Sequence, residues 1–169
     1  ENLKVAGQYG VTGVMLPFVR SDRDLLCLRQ KLEENHSGHI KIFAKIENMQ
    51  GVEALDTFFS LADEIVIARG DLGNAMPLWE LPAVQKRIGA QCRRAGKPFM
   101  VVTQMLDSME HSPVPTRAEV SDIYNAVLEG ASSLMLTGET ALGEYPAEAM
   151  EYLVKTAESS LRHKIVCEV

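Results

Sequence analysis

Ile40-Lys41-Ile42-Phe43-Ala44-Lys45-Ile46-Glu47-Asn48 begins as an apolar run and ends in charge. About one βα unit later, Glu64-Ile65-Val66-Ile67-Ala68-Arg69-Gly70-Asp71-Leu72-Gly73 does the same. Each stretch places an acidic residue where a buried strand would emerge into a loop. Side by side in a parallel sheet, two such strands bring Glu47 and Asp71 to one edge. Two carboxylates with room for water and substrate oxygens suit a hard divalent cation such as Mg²⁺. Lys45 stands two residues before Glu47, and strand alternation puts i and i+2 on the same face. A cation pair of that kind serves chemistry on phosphates or enolates.

The same pattern repeats along the chain. Val11 to Val19 is an apolar run, followed by Ser21-Asp22-Arg23-Asp24 as a helix start with Ser21 as N-cap. Leu25, Leu26, Leu28 and Leu32 give that helix an apolar stripe. Ile40 to Ile46 is the second strand. Gly51 to Leu61 is read as one short helix with Val52, Leu55, Phe58 and Phe59 inward, and Glu64 to Ala68 as the third strand. A glycine-rich turn at Gly70 to Gly73 leads to a helix opened by Pro82 and capped by Gly96. Pro98 to Thr103 is the fourth strand. Thr116-Arg117-Ala118-Glu119 is a capping box for a helix ending near Gly130. Ser133 to Thr137 is the fifth strand, and Pro146 opens a last helix reaching about His163. Short, continuous apolar strands point to a parallel sheet covered on both faces. Strands alternating with helices define an α/β fold, and periodicity leaves open whether the sheet is doubly wound or part of a barrel.

Composition narrows the function. The chain has 169 residues, 46% hydrophobic, with a formal net charge of −6. An acidic balance argues against nucleic acid as a partner. It leaves room for an anionic substrate, because a bound metal inverts the local field. The three cysteines, Cys27, Cys92 and Cys167, are far apart and fit reduced structural thiols in a cytosolic, cytoplasmic protein. No apolar run reaches membrane-spanning length, and Glu1-Asn2-Leu3-Lys4 has no signal-peptide character. The four histidines lack metal-ligand spacing and read as solvated; the eight methionines read as core filler.

Lys45 and Glu47, Arg69 and Asp71, Thr103 and Gln104, and Thr137 and Glu139 all fall at C-terminal strand ends, the edge that carries active sites in barrels and open α/β sheets. Each also has a structural alternative. Glu47 and Asp71 could be first-turn helix acids, Lys45 half of a surface ion pair, and Arg69 an organiser of either carboxylate. Thr103 and Thr137 could bond loop backbone. Gly70 and Gly73 suit any tight turn. The common nucleotide-binding glycine motifs are absent.

Taken together, Lys45-Ile46-Glu47-Asn48, Ala68 to Gly73, Arg94 to Pro98, Thr103-Gln104-Met105, Pro115 to Glu119 and Leu136 to Ala141 closely resemble the pyruvate kinase family, from about Leu3 to about Leu161. The resemblance implies part of a (β/α)₈ TIM barrel, with residues 1–169 a partial catalytic barrel and the lid and C-terminal effector domains absent. It implies phosphoryl transfer from phosphoenolpyruvate to ADP and protonation of the enolate. Glu47 and Asp71 would hold Mg²⁺ or Mn²⁺, and Lys45 would neutralise the transferring phosphoryl group and the enolate. The Gly70 and Asp71 amides would hold the substrate carboxylate. Thr103 would sit beside the methylene carbon on the proton route, while Arg69, Thr137 and Glu139 would support the site. The family's K⁺ ligands and substrate-binding arginines have no counterpart in this stretch. The partners implied are phosphoenolpyruvate, ADP, the remainder of the barrel and further copies of the enzyme, a homotetramer by resemblance, with no nucleic acid and no membrane.

The sequence departs from the family at three positions. Pro17 replaces a small Ser, Thr137 replaces Ser and keeps the hydroxyl, and Leu142 replaces a Lys near the nucleotide side. Two other readings fit parts of the pattern. One is a metal-dependent aldolase or lyase of the wider phosphoenolpyruvate/pyruvate barrel group; the other is a non-catalytic half-barrel with open sheet edges.

Overall fold

Strand formation follows the apolar runs, and helix formation follows the caps. The computed structural model describes residues 2–167, with side chains through residue 163. Among the described residues, five strands lie in chain order in one parallel sheet, alternating with helices. Residues cluster into a unit ending at Phe99 and another beginning at Met100.

The first unit contains α1 (Asn2–Ala6), β1 (Gly13–Leu16), α2 (Asp22–Glu34), β2 (Lys41–Ile46), α3 (Met49–Glu53), β3 (Glu64–Ala68), α4 (Arg69–Asn74) and α5 (Leu81–Arg94). Strand β1 pairs with β2, and β2 with β3, in a register that sets Lys45 beside Val66 and Ile46 beside Ile67. The Asp24 carboxylate accepts the Arg20 and Ser21 N–H groups at 2.9 Å each, closing the cap of α2. Gly96, at φ 63°, ends α5 as the αL residue that a non-glycine adopts only with strain.

Several expectations change. The stretch read as one helix from Gly51 to Leu61 is two pieces, α3 and a 3₁₀ turn over Leu55–Phe58, with Val52, Leu55 and Phe58 buried and Phe59 only partly so. The glycine-rich turn after β3 is wound into α4. Strand β1 is shorter than its apolar run, because the chain turns at Pro17-Phe18 and leaves Phe18 at φ 51°. In α2, Leu25 and Leu32 are buried while Leu26 faces solvent.

Coverage of the sheet is also uneven. Ile65, Val66, Ile67 and Ala68 of β3 are all buried. Strand β2 alternates instead: Ile42, Ala44 and Ile46 are buried, and Phe43 and Lys45 are only partly covered. That alternation marks a sheet with one face packed and the other less so. Met15 of β1 is exposed.

The strand starts are locked by structural polar groups. Arg29 donates to Gly38 O and Ile40 O at 3.1 Å each and pairs with Asp63 at 3.2 Å. Asp63 also accepts the Ile42 N–H at 2.7 Å. Arg29 and Asp63 thus close this end of β2 with bonds of their own.

The second unit carries most of β4 (Phe99–Val102), then α6 (Arg117–Leu128), β5 (Ser133–Met135), α7 (Gly138–Ala141) and α8 (Pro146–Cys167). Strand β5 pairs with β4, Val101 beside Leu134. Helices α6 and α8 pack together through buried Ile123, Ala126, Ala149 and Leu153, and Ser160 donates to Tyr124 O at 2.9 Å. An apolar groove of about 410 Å³ runs between β5 and α8, lined by Leu134, Met150, Leu153, Val154 and Leu161.

Burial pushes the Cys92 thiol up to about 12, which keeps it protonated, as a structural thiol should be. Cys27 is exposed, and the Cys167 side chain lies outside the described residues. His111 pairs with Glu144 at 3.3 Å, and the His163 ring lies against Tyr124. Met105 and Met109 fill the core, while Met15 and Met150 are exposed and depart from the core-filler reading. Among the described residues no helix is long and apolar enough to cross a membrane.

Candidate active site

Glu47 leaves β2 one residue past the Ile46–Ile67 pair, so the register sets it level with the end of β3. Its side chain is only 2% exposed. A buried carboxylate needs hydrogen-bond donors, and Glu47 has two. Lys45 Nζ lies 2.7 Å from Oε1, and the Phe18 N–H donates to Oε2 at 2.7 Å. Strand alternation puts the first partner on the same face, as the i, i+2 spacing predicts. The second comes from the turn after β1, 29 residues away.

Asp71 lies on the next strand's loop, in the first turn of α4 and exposed. Its carboxylate makes no hydrogen bond or ion pair with another described residue. Gly70 and Arg69 begin the same helix and are partly buried. The two carboxylates therefore differ: Glu47 is held on both oxygens, and Asp71 is open. Each carboxylate oxygen has two lone pairs, so Glu47 keeps acceptor capacity after both bonds. Among the described residues no group of three or more His, Cys, Asp or Glu could hold a metal. Two carboxylates completed by water and substrate oxygens is the Mg²⁺ style of binding, and the donor set fits it.

In the second unit, Thr103 follows β4 at φ 81° and Gln104 at φ 53°. Two successive left-handed residues, neither a glycine, store backbone strain, which clusters at functional sites. Thr137 and Glu139 make contact. Glu139 is 2% exposed, Oε1 accepts the Leu106 N–H at 3.0 Å, and Oε2 accepts the Thr137 N–H at 2.7 Å. Its work is to clamp the loop after β4 to the start of α7. Glu119 does similar work: it accepts from the Ser108 N–H and Oγ at 2.7 and 2.6 Å as well as from the Thr116 N–H at 2.7 Å. The capping box was legible in the sequence; the Ser108 bonds were not.

Burial pushes both Glu119 and Glu139 carboxyls up, but the donors around them outweigh it and hold both below the ordinary glutamate range. A depressed native value adds stability above the unfolded value, near 4.5, and that stability is lost as pH falls through the native value. Glu139→Gln offers one acceptor where two N–H groups need one. It should cost about 2 kcal/mol at pH 7. The gap between variant and native protein, measured as urea midpoints, should close as pH falls through the depressed native value. A gap independent of pH would contradict the clamp.

The strands, the helices that follow them and the loaded C-terminal edge define an α/β protein of the (β/α) barrel type, consistent with part of an eight-stranded barrel. The family model for the barrel domain of pyruvate kinase matches residues 1–150. A pyruvate kinase of Bacillus licheniformis is 44% identical over 160 residues, 93% of this chain and 27% of that protein. Pyruvate kinase 2 of Saccharomyces cerevisiae is 45% identical, covering 96% of this chain and 33% of that protein. The crystal structure of a pyruvate kinase from Cryptosporidium parvum superposes with a TM-score of 0.90 at 39% identity, covering 94% of this chain and 34% of that one. The chain belongs to the pyruvate kinase family. It spans about a third of the length of these relatives, from 27% to 33% of the curated proteins. These matches favour pyruvate kinase over the aldolase or lyase reading.

Proposed function

We propose that these residues form the metal- and enolate-handling segment of a pyruvate kinase, which transfers the phosphoryl group of phosphoenolpyruvate to ADP and yields pyruvate and ATP in glycolysis. The observation that carries this reading is the buried Glu47 carboxylate, held by Lys45 Nζ at 2.7 Å and by the Phe18 amide at 2.7 Å, at the chemically loaded edge of the sheet.

Glu47 and Asp71 would hold Mg²⁺ or Mn²⁺ through oxygen donors. When bound, the cation neutralises charge on phosphoryl and enolate oxygens. Lys45 has three N–H donors and spends one on Glu47, leaving two for the transferring group. The ion pair fixes the ammonium in place before substrate arrives, so little reorganisation is needed as charge develops. The Gly70 and Asp71 amides at the start of α4 would receive the substrate carboxylate. Thr103, assigned by its family motif, serves the proton side of the reaction. Arg69 is a supporting residue beside Gly70 and Asp71, and Thr137 and Glu139 support the loop after β4 that carries Thr103. The K⁺ ligands, the arginines for the substrate phosphate, the lid and effector domains and the homotetramer interface belong to the remainder of a cytoplasmic enzyme.

Mn²⁺ titration of the full-length enzyme, followed by electron paramagnetic resonance, tests the site. Glu47→Gln and Asp71→Asn should each weaken Mn²⁺ binding by about 10–100-fold and abolish ATP formation. Unchanged Mn²⁺ affinity in both variants would overturn the assignment.

A further inference from the structure

Phe18 stands at φ 51°, in the left-handed region, although it has a full side chain. The residue is 49% exposed, so burial of its side chain does not hold it there. What Phe18 contributes is its N–H, donated to Glu47 Oε2 at 2.7 Å. A strained residue persists only when its surroundings over-determine it. Here the surroundings act on Val19. Its side chain is fully buried, its N–H donates to Lys45 O at 3.3 Å, and its carbonyl accepts the Asn48 Nδ2 group at 3.3 Å.

Asn48 is used at both ends of its amide. Oδ1 accepts the Gly51 N–H at 2.8 Å and caps α3. The two partners are a backbone N–H and a backbone carbonyl, whose polarities are fixed, so the amide has one orientation. Gly51 lets this close approach happen: a Cβ there would lie 2.5 Å from Val19 O. The loop after β1 is thus fastened to the first turn of α3, and Asn48 is the fastener.

We propose that Asn48 is a positioning residue for the cation-binding carboxylate: by gripping Val19 O it keeps Phe18 left-handed, and the Phe18 N–H then fixes Glu47 Oε2 in a single orientation. This rests on the reading of Glu47 as a metal ligand. It goes further by assigning the orientation of that ligand to a side chain one residue away that never touches it. Partners that orient a ligand typically carry about 10–100-fold in metal affinity.

The test separates the two ends of the amide. Asn48→Asp keeps an acceptor for Gly51 N–H, and its charge suits a helix N-terminus. It removes the donor and turns an oxygen toward Val19 O. Asn48→Ser also keeps a capping oxygen and is too short to reach Val19. In the full-length enzyme both variants should unfold at a urea midpoint close to that of the native protein. Hydrogen exchange at the Phe18 amide should quicken at least about tenfold, and Mn²⁺ should bind about tenfold or more weakly. If Asn48 is only a cap, both variants keep native Phe18 exchange and native Mn²⁺ affinity, and that result overturns the proposal. Faster Phe18 exchange with native Mn²⁺ affinity in both variants would also overturn it. A native enzyme that binds no Mn²⁺ would refute the metal reading instead, and the Phe18 exchange rate would still decide whether Asn48 holds the loop.

Discussion

Lys45→Met in the full-length enzyme is expected to lower kcat by about 10²–10³-fold, the loss typical of removing one group that stabilises developing charge. KM for phosphoenolpyruvate should change far less, because the charge that Lys45 meets grows in the transition state. The substitution keeps the apolar stem and removes only the ammonium. It also leaves Glu47, 2% exposed at its side chain, without one of its two partners. The Phe18 amide remains on Oε2, and the Lys45 side chain is 26% exposed. The stability cost should therefore be modest, about 1–2 kcal/mol, below the value for a fully buried pair. Steady-state kinetics beside urea unfolding separates the two effects. Lys45→Arg keeps the charge but not the compact geometry, and should recover only part of the rate. Near-normal kcat in Lys45→Met would remove Lys45 from the chemistry.

Residues 1–169 expressed alone should form no ATP from phosphoenolpyruvate, ADP and Mg²⁺ above background, and should self-associate. Among the described residues, strand β1 has one partner strand, β2, and β5 has one, β4. Both are open edges, and unpaired edges template association. A closed barrel of this class has about eight strands. The groove between β5 and α8 adds uncovered apolar surface on Met150, Val154 and Leu161. Phosphate recognition would rest on Lys45 and the cation without the arginines that bind phosphate most strongly. Open access to water would weaken each electrostatic contact. Light scattering and a coupled ATP assay check the two halves of this expectation. A rate comparable to that of an intact pyruvate kinase would show that the stretch is self-sufficient. It would also show that the missing arginines do not matter.

Much of the fold was legible because its signals are short-ranged. Ser21 with Asp24, Thr116 with Glu119, and Gly96 after α5 are read within four residues, and each stands where the local pattern puts it. The third strand, Glu64 to Ala68, has the bounds its apolar run suggested. The misreadings came where local pattern is ambiguous. A helix period continues across Ala54, yet the chain there changes from α3 to a 3₁₀ turn. Gly70 and Gly73 look like a turn, yet the segment they flank winds into α4.

The sequence by itself determined the alternation of strand and helix, the placing of Lys45, Glu47, Arg69 and Asp71 at strand ends, and the shared face of Lys45 and Glu47. Backbone periodicity dictates each of these, because strand alternation reaches two residues and a helix turn about four. Tertiary structure alone decided what holds the carboxylates. Phe18 meets Glu47 across 29 residues, and Leu106 meets Glu139 across 33. Such partners are set by sheet register and by where a loop turns, and a backbone N–H carries no residue identity for a sequence to display. For the same reason the sequence shows Glu139 at a strand end but not the two amide donors, Leu106 N–H and Thr137 N–H, that its buried carboxylate meets.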